Sequence, residues 1–283
     1  MFQYAAGRAV SLRQGVPLLL DLSFYKDVHD RAFRLNELNV SARIATEEEI
    51  EKVHSPSRKF LDLFRFKEHI IREQSPWFEI RRVFSTKKEF SFDKRISSAA
   101  DNTYLDGHWT SERYFKDIEE KLRIEFRLRN PLSDQSADLV RVIRNSDNPV
   151  SVHVRHGDYI SNQKFATIHG TLTKEYYSKA IEAVEKNVKN PRYFVFSDNI
   201  EWARENLPLG ETAEFISDPR ISDTETIYLM SICSAHIIAN SSFSWWGAWL
   251  DANPNKMVAA PKNWFADKSK DTTDLIPPSW IKI

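Results

Sequence analysis

The chain has 283 residues and a mass of 33.0 kDa, enough for one large domain or two ordinary ones. Its 40 basic and 40 acidic residues cancel, which removes the simplest support for a nucleic-acid partner. The single Cys233 excludes an internal disulfide and a cysteine-rich metal site, and no apolar run reaches membrane-spanning length.

Residues 1–14 carry Phe2, Ala5, Ala6, Ala9 and Val10 at helical spacing, and Val16 to Leu22 follows as a strand. Arg8 and Gln3 in the opening residues do not suit a secretory signal, so a cytoplasmic protein is the default. A helix at the very start has no preceding strand and no glycine-containing loop, and the whole chain holds seven glycines. The front therefore reads as clipped. Thr46-Glu-Glu-Glu49 is a capping box that opens a short, solvated helix. Arg58 to Phe84 is basic and aromatic, but its mixed charge and apolar spacing predict a partly buried helical segment rather than an interaction surface. Tyr104 to Trp109 reads as a strand with a glycine turn, leading into a helix with Tyr114, Phe115, Ile118 and Leu122. Between Pro131 and Pro149 one helix carries the chain across, giving expected domains of 1–148 and 149–283.

The second half alternates strand and helix. The apolar run Val150 to Val154 is followed by helix 172–185, strand Arg192 to Phe196 and a short helix capped by Ser197-Asp198. Strand Ala213 to Ile216 comes next, then a helix through Ile227, Leu229, Met230 and Cys233. Strand His236 to Ala239, a tryptophan-rich helix from Ser244 to Leu250 and strand Lys256 to Ala260 close the series. This order predicts an α/β fold with a parallel sheet covered by helices on both faces.

Four strand ends then fall on one edge: Arg155 to Asp158, Ser197-Asp198, Ser217-Asp218 and Asn240-Ser241-Ser242. In open α/β sheets ligands bind beyond the carboxyl ends of the strands. Any one of these serines and aspartates is adequately explained as a helix cap. Several helix N-termini converging near Arg155 instead favour a nucleotide-diphosphate cradle. No Asp-x-Asp occurs, so the simplest carboxylate pair for holding Mg²⁺ against a diphosphate is missing.

His153-Val-Arg-His-Gly-Asp158 resembles the first shared motif of α-1,2-, α-1,6- and protein O-fucosyltransferases. Asn240-Ser-Ser-Phe-Ser-Trp-Trp-Gly-Ala-Trp-Leu250 is more specific and resembles the bacterial α-1,2-fucosyltransferases of glycosyltransferase family 11. Tyr104 to Phe115, Phe196-Ser-Asp198 and Leu229 to Cys233 support the match, while Met1-Phe-Gln-Tyr-Ala5 resembles only the end of the family's opening motif. The resemblance implies a GT-B-like architecture of two Rossmann-like domains with parallel sheets, the donor held mainly by the C-terminal one. It implies inverting, metal-independent transfer of L-fucose from GDP-β-L-fucose to the 2-hydroxyl of a galactose-containing glycan, with no cofactor.

By the same resemblance His153 and Asp198 contact guanine, Arg155 clamps the β-phosphate, and Ser241, Ser242 and Ser244 offer donors to the phosphates. Asp158 is the candidate base, with orientation of Arg155 as its other role. His156 stands where an arginine is common, so that charge becomes conditional on pH, and Thr226 replaces a frequent acidic residue, with Glu225 beside it as a substitute. Trp245, Trp246 and Trp249 read as packing, with sugar stacking as the minority role. The alternatives are a fucosyltransferase of another linkage and a truncated nucleotide-sugar-binding remnant without turnover. Peripheral association with the inner face of a membrane remains compatible with the sequence; a nucleic-acid partner does not fit the charge balance.

Overall fold

Helix α1 (Phe2–Gln14) is buried on most of its circumference, through Phe2, Tyr4, Ala5, Ala6, Ala9 and Val10, and ends at Gly15, whose left-handed φ of 67° closes the last turn. The computed structural model describes residues 1–26, 32–54, 69–72, 90–99, 103–156 and 170–283. The chain divides into two units, residues 1–126 with 270–275 and residues 127–269 with 276–283.

In the first unit β1 (Leu19–Leu20) pairs in parallel with β2 (Arg43–Ile44). The capping box forms as the spacing predicts: Thr46 Oγ1 accepts from Glu49 N–H at 3.2 Å, and Glu49 accepts from Thr46 N–H at 2.9 Å, opening α2 (Glu47–His54). Within the segment expected to be helical, His69–Arg72 is instead strand β3, parallel to β4 (Thr103–Asp106). There, pairing to β4 outweighs the local apolar spacing, and the rest of 58–84 lies outside the described residues. The helix expected after Trp109 is broken into two 3-10 turns, Glu112–Tyr114 and Lys116–Ile118, before α3 (Glu119–Glu125). Tyr114 and Phe115 are both buried, and adjacent residues of one α-helix would point about 100° apart. The Tyr4 hydroxyl donates to Glu125 at 2.6 Å, and Arg8 forks onto the same carboxylate at 2.9–3.2 Å. A cavity of about 340 Å³ is lined by residues of α1, β1 and β4, among them Gly7, Val10, Leu20 and Tyr104, and by Leu18 just before β1.

The second unit contains α4 (Asp134–Arg144), β5 (Pro149–Val154), α5 (Lys174–Asn187), β6 (Arg192–Ser197) and α6 (Ile200–Asn206). It continues through β7 (Glu214–Ile216), α7 (Asp223–Ser231), β8 (Ala235–Ile237), α8 (Ser242–Leu250), β9 (Met257–Ala260) and β10 (Ile281–Lys282). Six strands form one wholly parallel sheet in the order β10-β9-β8-β5-β6-β7. β10, two residues long, is too short to carry a periodicity in the sequence.

All six residues of β5 are buried, as expected for a central parallel strand. Val150, Val152 and Val154 pack with Tyr177, Ala180, Ile181 and Val184 of α5 on one face. Phe194 and Phe196 of β6 pack on the other with Val140 and Ile143 of α4 and Leu229 and Met230 of α7. Among the described residues no helix is long and apolar enough to cross a membrane.

Candidate functional site

From β5 the chain runs outward to β6 and β7, then returns to the opposite side of β5 as β8. The exits of β5 and β8 therefore flank the point where strand order reverses, where an open α/β sheet leaves a crevice. Arg155 and His156 leave β5 on one side; Asn240, Ser241 and Ser242 leave β8 on the other.

The exits of β5 and β6 are tied together by Asp198. Its Oδ1 accepts from His156 N–H at 2.7 Å, and its Oδ2 lies 3.5 Å from Arg155 Nε. Asp198 does not cap α6: Asn199 is the N-cap, accepting from Trp202 N–H at 3.0 Å, while Ser197 Oγ accepts from Asn199 N–H at 2.9 Å. The shift by one residue leaves the Asp198 carboxylate facing the strand exits. Arg155 and Asp198 are 33% and 25% exposed, partly desolvated and still open to a ligand.

His153 is buried at the end of β5, opposite Phe196 in register, with its ring 5.4 Å from that of Phe243. Its Nδ1 has no hydrogen-bond partner, which is costly for a buried polar atom and marks a position where a ligand would relieve the cost. Burial holds its pKa down at about 4, opposed by nearby Asp198 and assisted by Arg155, so the imidazole is neutral near pH 7. His156 stacks on Trp202 with ring centroids 4.1 Å apart and an 18° tilt. Desolvation lowers its pKa too, against the pull of Asp198, so His156 contributes a flat ring rather than a fixed charge at neutral pH.

On the β8 side Ser241 caps α8, accepting from Phe243 N–H at 3.3 Å. Ser242 is exposed at the first helical position. Ser244 is 1% exposed and its hydroxyl turns back to Ala239 O at 3.5 Å and Ser241 O at 3.3 Å, away from the helix mouth. Asn240 Nδ2 donates to Gly170 O at 3.1 Å and Trp264 O at 3.2 Å, stitching the loop in place. Gly170 has φ +71°, which favours glycine, and a Cβ there would press on the Ala266 Cβ at 3.0 Å. Trp245, Trp246 and Trp249 are all buried and pack on one another, the structural role.

The structure thus brings His153, Arg155, His156 and Asp198 together, and sets Ser241 and Ser242 at the neighbouring exit. Asp158 lies outside the described residues. Glu225, the carboxylate beside Thr226, closes the α7 capping box with Ser222 and accepts from Ser133 N–H at 2.6 Å. Sequence reasoning passed over Phe243 and Trp202, although an aromatic residue directly after the two serines and another in the helix after Asp198 were visible signals.

The profile of Glycosyl transferase family 11 matches residues 52–283. The chain is 35% identical over 292 residues to an alpha-1,2-colitosyltransferase of Escherichia coli, spanning 100% of this chain and 94% of that one. It is 32% identical over 307 residues to the O-antigen biosynthesis glycosyltransferase WbnK of Escherichia coli, spanning 100% and 96%. Among solved structures, fucosyltransferase NodZ from Bradyrhizobium aligns with a TM-score of 0.51 and 15% identity, over 87% of this chain and 86% of that one. At that identity the likeness concerns the fold, which is α/β and GT-B-like.

Proposed function

This chain belongs to glycosyltransferase family 11, and we propose that it transfers L-fucose, or a close deoxy analogue, from its GDP-sugar to the 2-hydroxyl of a galactoside. The observation that carries this reading is the meeting, at the sheet's switch point, of Arg155, Asp198 and a buried His153 with an unpartnered Nδ1 beside the N-terminus of α8. His153 and the remaining lone pairs of Asp198 suit the edge of guanine, beside the ring of Phe243. Arg155, Ser241, Ser242 and the N-terminal end of α8 suit the diphosphate. Ser244, already bonded to backbone, supports the helix turn instead.

In the reaction the acceptor hydroxyl attacks the anomeric carbon opposite the departing GDP. The bond to the β-phosphate oxygen breaks as oxocarbenium character develops, and the hydroxyl proton passes to a carboxylate, for which Asp158 is the proposed base. Arg155 and the helix N-terminus meet the charge that accumulates on the leaving diphosphate, which makes a divalent cation dispensable.

The identity to a colitosyltransferase favours a second donor, the 3-deoxy analogue of L-fucose. The test is transfer to a panel of galactosides from GDP-L-fucose and GDP-colitose, each in EDTA. Product with a new α-1,2 linkage in EDTA from either donor supports the reading, and the faster donor identifies the sugar. Activity that appears only with Mg²⁺ or Mn²⁺ contradicts the metal-free mechanism. GDP binding without turnover would mark a nucleotide-sugar-binding remnant.

A further inference from the structure

Behind the site runs a chain of three buried polar side chains that the proposed reaction does not use. Ser151 Oγ lies 2.8 Å from His236 Nδ1, and His236 Nε2 lies 3.2 Å from Asp251 Oδ2. The three residues are 3%, 0% and 7% exposed. The order Ser–His–Asp is that of a nucleophilic triad, but no substrate reaches a serine buried in the middle of the sheet. Its geometry serves another purpose.

Ser151 and His236 are register partners on the adjacent strands β5 and β8. Ser151 shares its face of β5 with His153, two residues on, and Asp251 follows the last residue of α8. The chain therefore links the strand that delivers His153 and Arg155 to the far end of the helix whose near end carries Ser241 and Ser242. That helix is nine residues long, about 13 Å. The same far end is gathered by Lys256, whose Nζ donates to the carbonyls of Ala248, Trp249 and Asp251 at 2.8, 3.1 and 2.5 Å. Sideways, Gly247 brings α8 so close to α7 that a Cβ would stand 2.8 Å from the Met230 Cβ. Burial keeps His236 neutral, with the Asp251 hydrogen bond opposing that shift. A neutral ring that donates from Nε2 to the Asp251 side chain must accept at Nδ1 from the Ser151 hydroxyl, so each link has one polarity and one register.

We propose that Ser151, His236 and Asp251 are positioning residues that fix α8 along its axis against β5, and so set the gap between the helix N-terminus and Arg155 that a diphosphate must span. The proposal rests on the donor-site reading above.

Two isosteric replacements cut the chain at different links. In His236→Asn the amide oxygen can take the place of Nδ1 towards Ser151 and the link to Asp251 is lost; in His236→Gln the amide nitrogen can reach Asp251 and the link to Ser151 is lost. Ser151→Ala is the mildest cut, removing one oxygen. Calorimetric titration with GDP and with guanosine reads the outcome. Each variant should bind GDP about tenfold more weakly while its affinity for guanosine stays within about twofold, because only the diphosphate spans the gap. Ser151→Ala added to His236→Gln should cost nothing further, since that link is already open. Folded variants that bind GDP as tightly as the parent overturn the proposal, and so does an equal loss of GDP and guanosine, which marks a general structural role. Failure of the parent chain itself to bind GDP instead removes the donor-site reading beneath it.

Discussion

Two polar clusters, one in each unit, are built in opposite ways. In the first, Tyr4, Arg8 and Glu125 saturate one another: the carboxylate accepts from the phenol hydroxyl and from Nε and Nη2 of the guanidinium, with the Arg8 and Glu125 side chains only 12% and 8% exposed. In the second, two ring nitrogens at the sheet edge are left unmatched: His153 Nδ1 and His156 Nδ1 have no partner. A saturated network stabilises a fold, while an unsaturated one keeps stabilisation in reserve for a ligand. The contrast separates variants that should unfold the protein from those that should disable it.

The largest effect is expected in the first unit. Glu125→Ala strands a buried arginine and should destabilise the chain by about 3–5 kcal/mol, read as a lowered thermal midpoint. Next, Arg155→Ala should slow transfer by about 10²–10³ with little change in thermal midpoint, because it removes a charge that acts on the departing diphosphate. Near-normal transfer would remove Arg155 from that role. Asp198→Asn should weaken GDP binding by about 1.5–3 kcal/mol, raising KM for the donor more than it lowers kcat. Its neighbour Asn199→Ala should cost about 1 kcal/mol of stability and leave GDP affinity alone, since Asn199 is the cap. Equal GDP affinities in these two variants would erase the distinction between cap and ligand.

The last effect vanishes at neutral pH. The folded His153 pKa of about 4 lies below its ordinary 6.5, so the native state binds fewer protons than the unfolded chain between those values. The stability linked to His153 is complete above pH 6.5 and is lost progressively as pH falls towards about 4. His153→Asn should flatten that part of the thermal-midpoint profile against pH, and an unchanged profile would show that the imidazole is not the group responsible.

The second unit was far more legible than the first. Long strands and helices with clear alternation, such as Val150 to Val154 and the α5 stripe of Tyr177, Ala180, Ile181 and Val184, announce themselves because burial on a whole face demands periodicity. In the first unit β1 and β2 are two residues each, and the helix expected after Trp109 yields to 3-10 turns around two adjacent buried aromatics. Such structure is decided by long-range contacts, Tyr4 to Glu125 among them, that no local pattern records. At the site, the residue types and strand ends were readable. The cap moved by one, from Asp198 to Asn199, because both residues can cap and only the backbone decides. The inward turn of the Ser244 hydroxyl and the Ser151–His236–Asp251 chain had no local signature.

The central claim is that the donor's nucleotide sits at the exits of β5 and β8 in the second unit. Hydrogen exchange followed by mass spectrometry, with and without GDP, tests it most directly, because it locates protection along the backbone. The account predicts slowed exchange confined to peptides covering residues 153–156, 197–199 and 239–245, with those of α1, α2 and α3 unchanged. Protection centred in the first unit, or none at saturating GDP, would contradict it.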